Sequence, residues 1–163
     1  MLVVLLILGH LPKGKNEADM SDFFTLHNIG ENKTFKLGDI EYKPFRTTHI
    51  TNGSEFMDSY GLSVTLENGK NIIITSDTQY CPSSLNMLFK KADLIITDCE
   101  TMPFKSLVHA NYQDLTNLPE EIKVKMLLIH YNDNLTPELE KEILEKGKFK
   151  GFLHQGDEIN LDF

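Results

Sequence analysis

The sequence predicts a layered α/β fold, read as a single domain over residues 1–163. Three observations carry that prediction. Short apolar runs at Ile72–Ile74, Leu94–Ile96 and Met126–Ile129 are apolar at successive positions, as strands covered on both faces are. Helical stretches with their own start and stop signals lie between and after these runs. Along the chain, strand-like segments come first and strand–helix alternation follows, the element order of a sheet covered by helices.

In chain order, Met1–Leu8 reads as a buried strand, ended by Gly9, Pro12 and Gly14. It lacks a basic leader and a small-residue cleavage site, and it is too short to span a membrane. A short helix or loop around Glu17–Phe24 and a turn at Asn28–Asn32 follow. Thr34–Leu37 and Ile40–Thr48 alternate around the hairpin turn Gly38-Asp39. Pro44 marks the second of these as an edge strand or the site of a bulge. Tyr60–Leu66 alternates, turns through Glu67–Lys70 and returns as Asn71–Thr75. Ser84–Lys91 is a short helix and Leu94–Thr97 a buried strand. Helices are expected over Tyr112–Leu118 and Glu120–Lys123, with Pro119 opening the second. Met126–His130 is a strand. Thr136 caps a helix that has Pro137 at its first position and acids in its first turn, and Gly147 stops it. Phe152–Leu153 and Glu158–Leu161 suggest a terminal hairpin around Gly156-Asp157.

Composition narrows the class. The chain is 40% hydrophobic and 25% charged, an ordinary globular balance. Its formal net charge of −8 argues against a long polyphosphate partner and for a small substrate. Cys81 and Cys99 have no paired spacing. They read as reduced thiols of a cytoplasmic protein rather than a disulfide or a zinc–thiolate site.

The chemistry concentrates where strands end. His49 follows one strand, Asp77 and Thr78 follow another, Asp98 a third, and His130 ends a fourth. His109 lies in the loop between the last two. Loops at strand ends present side chains from a rigid sheet. Two imidazoles and a carboxylate from three strand ends are part of a zinc-type ligand shell. Water on such an ion loses a proton near neutral pH and becomes a nucleophile. His109 is then available as a phosphate contact or a general acid. Each position also has a plainer reading. A strand-end histidine is often a hydrogen-bonded structural residue, and Asp-Thr after a strand is often a turn or a cap.

The order of these segments resembles the second half of the metallo-β-lactamase-fold hydrolases over residues 35–161. The nearest branch in this reading is similar to RNase Z and to cyclic-nucleotide phosphodiesterases. Arg46-Thr-Thr-His-Ile50 followed by Ser59-Tyr-Gly-Leu62 resembles the family's third motif, with a metal-binding histidine and a Tyr-Gly pair. Ile74-Thr-Ser-Asp-Thr-Gln79 resembles the Gly-Asp-Thr motif, with Ser76 in place of glycine. Ala92–Glu100 is similar to a segment in which an acidic residue ends a strand. Val108–Leu115 resembles the motif whose histidine contacts the scissile phosphate, and Leu127–Tyr131 the motif whose histidine binds the second metal.

The resemblance implies an αββα-type layered sandwich and a metal-dependent phosphodiesterase acting through a metal-bound hydroxide. His49, Asp77 and His130 are then metal ligands, and His109 and Asp77 the catalytic residues. His109 and Thr78 bind substrate, and Asp98 orients a neighbour from outside the ligand shell. A complete family site holds two Zn2+, with Mn2+ as the alternative metal. The family's upstream His-x-His-x-Asp-His element is absent from the sequence, so the chain reads as N-terminally truncated relative to the family. Two functional expectations follow. One is a hydrolase of a small or cyclic-nucleotide phosphodiester, favoured over tRNA, with a homodimer or second chain completing the fold. The other is a catalytically inactive binding or assembly module. His10, His27 and His154 match no motif and are expected to be structural.

Overall fold

The structure, a computed structural model, describes residues 33–52 and 55–161, together with Thr25, His27 and Ile29. The expected strand at Met1–Leu8, the helix or loop around Glu17–Phe24 and His10 lie outside the described residues. The chain divides into two units, Met1–Gly30 and Glu31–Phe163, and every element below belongs to the second.

That unit is built on a seven-stranded sheet whose spatial order repeats the chain order. The strands are β1 (Phe35–Leu37), β2 (Ile40–Asn52), β3 (Glu55–Thr65), β4 (Asn71–Ile74), β5 (Leu94–Asp98), β6 (Met126–Ile129) and β7 (Gly151–Phe152). The first four pair antiparallel through hairpins. From β4 to β7 all pairings are parallel. Helix α1 (Pro82–Lys91) connects β4 to β5, α2 (Tyr112–Leu115) and α3 (Glu120–Lys123) connect β5 to β6, and α4 (Pro137–Gly147) connects β6 to β7. Parallel neighbours require such crossovers.

The apolar runs bury both faces. On one face Ile73, Ile95 and Leu128 pack with Leu85, Phe89, Ile122 and Ile143 from the helices. On the other, Val64, Ile72, Leu94 and Leu127 form a second cluster that includes no helical residue. The described residues thus supply one sheet and its helical layer. No described helix is long and apolar enough to cross a membrane. Both cysteines are free, Cys99 fully buried and Cys81 partly so.

Three local features differ from or refine the sequence expectations. Strands β2 and β3 are longer than the alternation indicated, β2 continuing to Asn52 and β3 starting at Glu55. Pro44 sits beyond the end of the β1 pairing, which stops at Tyr42, so its missing N–H faces no ladder partner on that side. The expected terminal hairpin does not form: β7 pairs parallel with β6, and Glu158–Leu161 is not a strand. The parallel edge of β6 takes Gly151–Phe152, which overlaps the Phe152–Leu153 arm expected of the hairpin.

Candidate metal centre

The site forms where β2 and the carboxyl ends of the parallel strands meet. Strand β2 carries a register shift between Thr48 and Ile50, which makes His49 the extra residue of a β-bulge. A bulge releases a residue from the ladder and re-aims its side chain. Here the ring takes up a bond from outside the strand, with Nδ1 2.9 Å from the Val108 carbonyl oxygen. That carbonyl can only accept, so Nδ1 is the donor, and Nε2 is the ring nitrogen turned to other partners.

The loop after β4 is tied to the same bulge. The Gln79 backbone N–H donates to the Thr48 carbonyl at 2.7 Å, and its side-chain amide donates to the His49 carbonyl at 2.9 Å. The loop begins at Ser76, whose φ of +53° lies in the left-handed region. Glycine enters that region without a Cβ penalty, which accounts for the glycine that the resembling motif carries there. Asp77, the next residue, is half exposed at 51% of its side chain and lies 4.0 Å from His49 Nε2 and 3.3 Å from His130 Nδ1. Thr78 is 1% exposed. Its hydroxyl turns inward to the Thr48 and Gln79 carbonyls. Its backbone N–H donates to Asp98 Oδ2 at 2.8 Å.

Asp98 ends β5 and is completely buried. Its Oδ2 accepts from Thr78 and lies 2.7 Å from His109 Nδ1. Its Oδ1 has no hydrogen-bond partner. His130 Nδ1 stands 3.3 Å from that oxygen but without the geometry of a hydrogen bond. Burial pushes the Asp98 carboxyl above the usual carboxylate range, against the opposing pull of its bonds to His109 and Thr78. A buried, unpartnered carboxylate oxygen is costly without a compensating cation.

His109 arrives from the long loop after β5. Glu100, also buried, holds that loop by accepting from the Ser106 backbone and the Asn111 amide through Oε1. Leu107, at φ +66°, turns the chain so that the next two residues reach His49 and Asp98. His130, at φ +62°, follows β6 in the same left-handed conformation and leaves its side chain 46% exposed. The His109 ring stands edge-on to that of His130 at 4.5 Å and 5.0 Å from that of His49.

The structure therefore brings together all five residues His49, Asp77, Asp98, His109 and His130. Asp98, His109 and His130 also present ligand atoms within 4.8 Å of one another, a grouping that the strand-end reading did not make. The donor set fits a divalent ion: imidazole nitrogens, an exposed carboxylate and a buried carboxylate oxygen lacking a donor. His154 stands apart, bonded to the Tyr131 hydroxyl at 2.6 Å and to Glu140 at 3.2 Å. Sequence reasoning missed Gln79, the Val108 carbonyl and Glu100. Glu100 carried the only signal, an acid at the end of an apolar run.

Comparisons with known proteins agree with this architecture. A family model described as Anti-Pycsar protein Apyc1 matches residues 5–159. The Anti-Pycsar protein Apyc1 of Bacillus phage vB_BsuM-Goe3 is 26% identical over 154 residues, covering 89% of this chain and 55% of its own length. The chain thus spans about half the length of the curated relatives it matches. Among solved structures, the metallo-β-lactamase-fold protein YhfI from Bacillus subtilis aligns with a TM-score of 0.57 at 18% identity, over 76% of this chain and 48% of that one. A diphosphatase from the PhnP family aligns with a TM-score of 0.60 at 14% identity, over 82% and 48%. The fold is that of the metallo-β-lactamases.

Proposed function

The chain belongs to the Anti-Pycsar protein Apyc1 family, which corrects the RNase Z branch suggested by its motifs, and from that premise we propose that it carries part of a metal-dependent phosphodiesterase site for a small or cyclic nucleotide. The observation that carries the reading is the convergence of two carboxylates and three imidazoles at the strand ends, with one buried oxygen of Asp98 left without a donor.

In this reading His49, Asp77 and His130 hold the ion. Zinc is the first candidate, with manganese as the alternative. Such an ion supplies an acidified water and neutralises phosphate charge. Asp98 accepts the Nδ1 proton of His109 and so fixes that ring's orientation, leaving Nε2 for a phosphate oxygen or the leaving group. Thr78 serves through its backbone, holding the Asp98 carboxylate in place. The small substrate follows from the resemblance to cyclic-nucleotide hydrolases and from the net charge of −8. A second ion needs ligands that these 163 residues do not supply, because the sequence contains no His-x-His-x-Asp-His element. A second copy or another chain is the proposed source.

The test is metal content by mass spectrometry, zinc and manganese titration by calorimetry, and turnover of bis-p-nitrophenyl phosphate and a cyclic mononucleotide. Near one ion per chain is expected, lost in Asp77→Ala and retained in His109→Ala, with turnover lost in both. Loss of the ion in His109→Ala would move the ligand set to Asp98, His109 and His130. Absence of both metal binding and turnover would refute the enzymatic reading for this chain and favour a binding module.

A further inference from the structure

Backbone pairing between β5 and β6 ends at the Asp98–Ile129 pair, with the Cys99 N–H donating to the Ile129 carbonyl at 2.9 Å. Immediately beyond, His130 turns left-handed, a conformation that costs about 1–2 kcal/mol for a residue with a side chain. Nothing in the ladder holds it there. The two chains are joined again one step later by side chains. The Thr101 backbone N–H donates to Asn132 Oδ1 at 2.8 Å. The Asn132 backbone N–H donates to Thr101 Oγ1 at 3.1 Å. Thr101 Oγ1 in turn donates to Asn134 Oδ1 at 2.8 Å, and Asn134 Nδ2 donates to the Thr101 carbonyl at 3.1 Å.

These bonds close on themselves. The single hydroxyl proton of Thr101 goes to Asn134 while its lone pair receives Asn132, so every polar group of Thr101 is matched. Thr101 is 1% exposed, and buried networks that are fully satisfied fix one geometry. The two partners are placed to matter: Thr101 stands three residues after Asp98 and Asn132 two after His130. The 3.3 Å approach of His130 Nδ1 to Asp98 Oδ1 is thus bracketed by the last rung of the ladder on one side and this clamp on the other.

We infer that Thr101, Asn132 and Asn134 are positioning residues that hold His130 in its ligand conformation before any ion arrives. The inference rests on the proposed metal centre for its functional meaning, and on the clamp geometry alone for its structural meaning. Side chains that fix a ligating histidine from outside the ligand shell commonly change metal affinity by about 10–100-fold.

Thr101→Val keeps the shape and removes the hydroxyl. The expected result is a zinc dissociation constant weaker by about 10-fold or more, with Thr101→Ser restoring it. In the metal-free chain, the amide–Hα coupling of His130, read together with its intraresidue amide–Hα NOE, which is strong at positive φ and weak at negative φ, is expected to leave its left-handed signature in Thr101→Val and to return in Thr101→Ser. Asn134→Ala, which cuts only the outer bonds, gives a smaller change in the same direction and serves if Thr101→Val does not fold. A folded Thr101→Val chain with unchanged His130 coupling and unchanged zinc affinity overturns the inference. A wild-type chain that binds no zinc defeats the proposed function instead, and the metal-free coupling then decides the clamp by itself.

Discussion

Replacing Asp98 by asparagine separates what the site costs from what it does. The carboxylate is completely buried, and one of its oxygens has no donor. An unsatisfied buried acceptor costs about 1–3 kcal/mol, and more when charged. Asparagine can place its oxygen where Oδ2 accepts from Thr78 and His109, and its neutral amide removes the buried charge from the Oδ1 position. The weaker bond to His109 offsets part of the gain. The metal-free Asp98→Asn chain is therefore expected to be about 1 kcal/mol more stable than wild type at pH 7.5, raising Tm by about 2–4 °C for a chain of this size. The pH dependence has a definite sign. Burial raises the folded-state pKa of Asp98, so the stability this group contributes is fully present below the ordinary carboxylate pKa. It is lost as pH rises through the raised value. Asparagine does not titrate, so the gap opens with rising pH and closes in acid. Zinc should reverse the order. Wild type gains about 2.7 kcal/mol at a free concentration of 100 times its Kd, and the variant gains less. Thermal melts followed by circular dichroism, with chelator or zinc, across pH 4–8, provide the assay. An Asp98→Asn chain that melts below wild type at pH 7.5 in chelator, or a gap independent of pH, would show that the buried carboxylate does not destabilise the metal-free fold.

Two further substitutions test the scaffold. Gly61 pairs with Phe45 across β2 and β3, and a Cβ there would overlap the Phe45 ring and stand 2.6 Å from the Ile74 carbonyl oxygen. Gly61→Ala should cost about 1–3 kcal/mol, measured by urea denaturation, and an unchanged midpoint would refute the close packing. Ser76→Gly should add about 0.5–1 kcal/mol, because relief of the left-handed penalty outweighs the extra chain entropy of glycine. A loss of stability in that variant would mean that the Ser76 conformation is not strained.

The parts of the site that were legible in the sequence are those tied to strand ends. Runs such as Ile72–Ile74 and Leu94–Ile96 bury both faces, so the first polar residues after them must emerge at the sheet's end. Asp77, Asp98 and His130 follow from that constraint. The means by which these residues are held was not legible. The bulge at His49 leaves no mark in an alternating strand, because one extra residue looks the same as a polar position. Thr101, Asn132 and Asn134 read as ordinary turn residues, and only their meeting across 31 and 33 positions makes them a clamp. The failed terminal hairpin has a similar origin. Gly156-Asp157 does carry a local turn, with the Asp157 N–H donating to the His154 carbonyl. The neighbour of β7, however, was decided by the open side of β6 rather than by the turn.

The strict agreement between spatial and chain order in the sheet has a consequence for assembly during synthesis. Each strand adds to the one made just before it, so no strand must be inserted between two already joined. Domains are built from the N-terminus as the chain emerges, and this sheet can grow by lateral addition in step with that emergence. The five site residues emerge in the order His49, Asp77, Asp98, His109, His130. An ion that needs both ends of that series finds no complete pocket on the nascent chain until β6 has docked. In the proposed metal centre, binding of the ion would thereby be a late event, placed after the sheet that carries its ligands has taken shape.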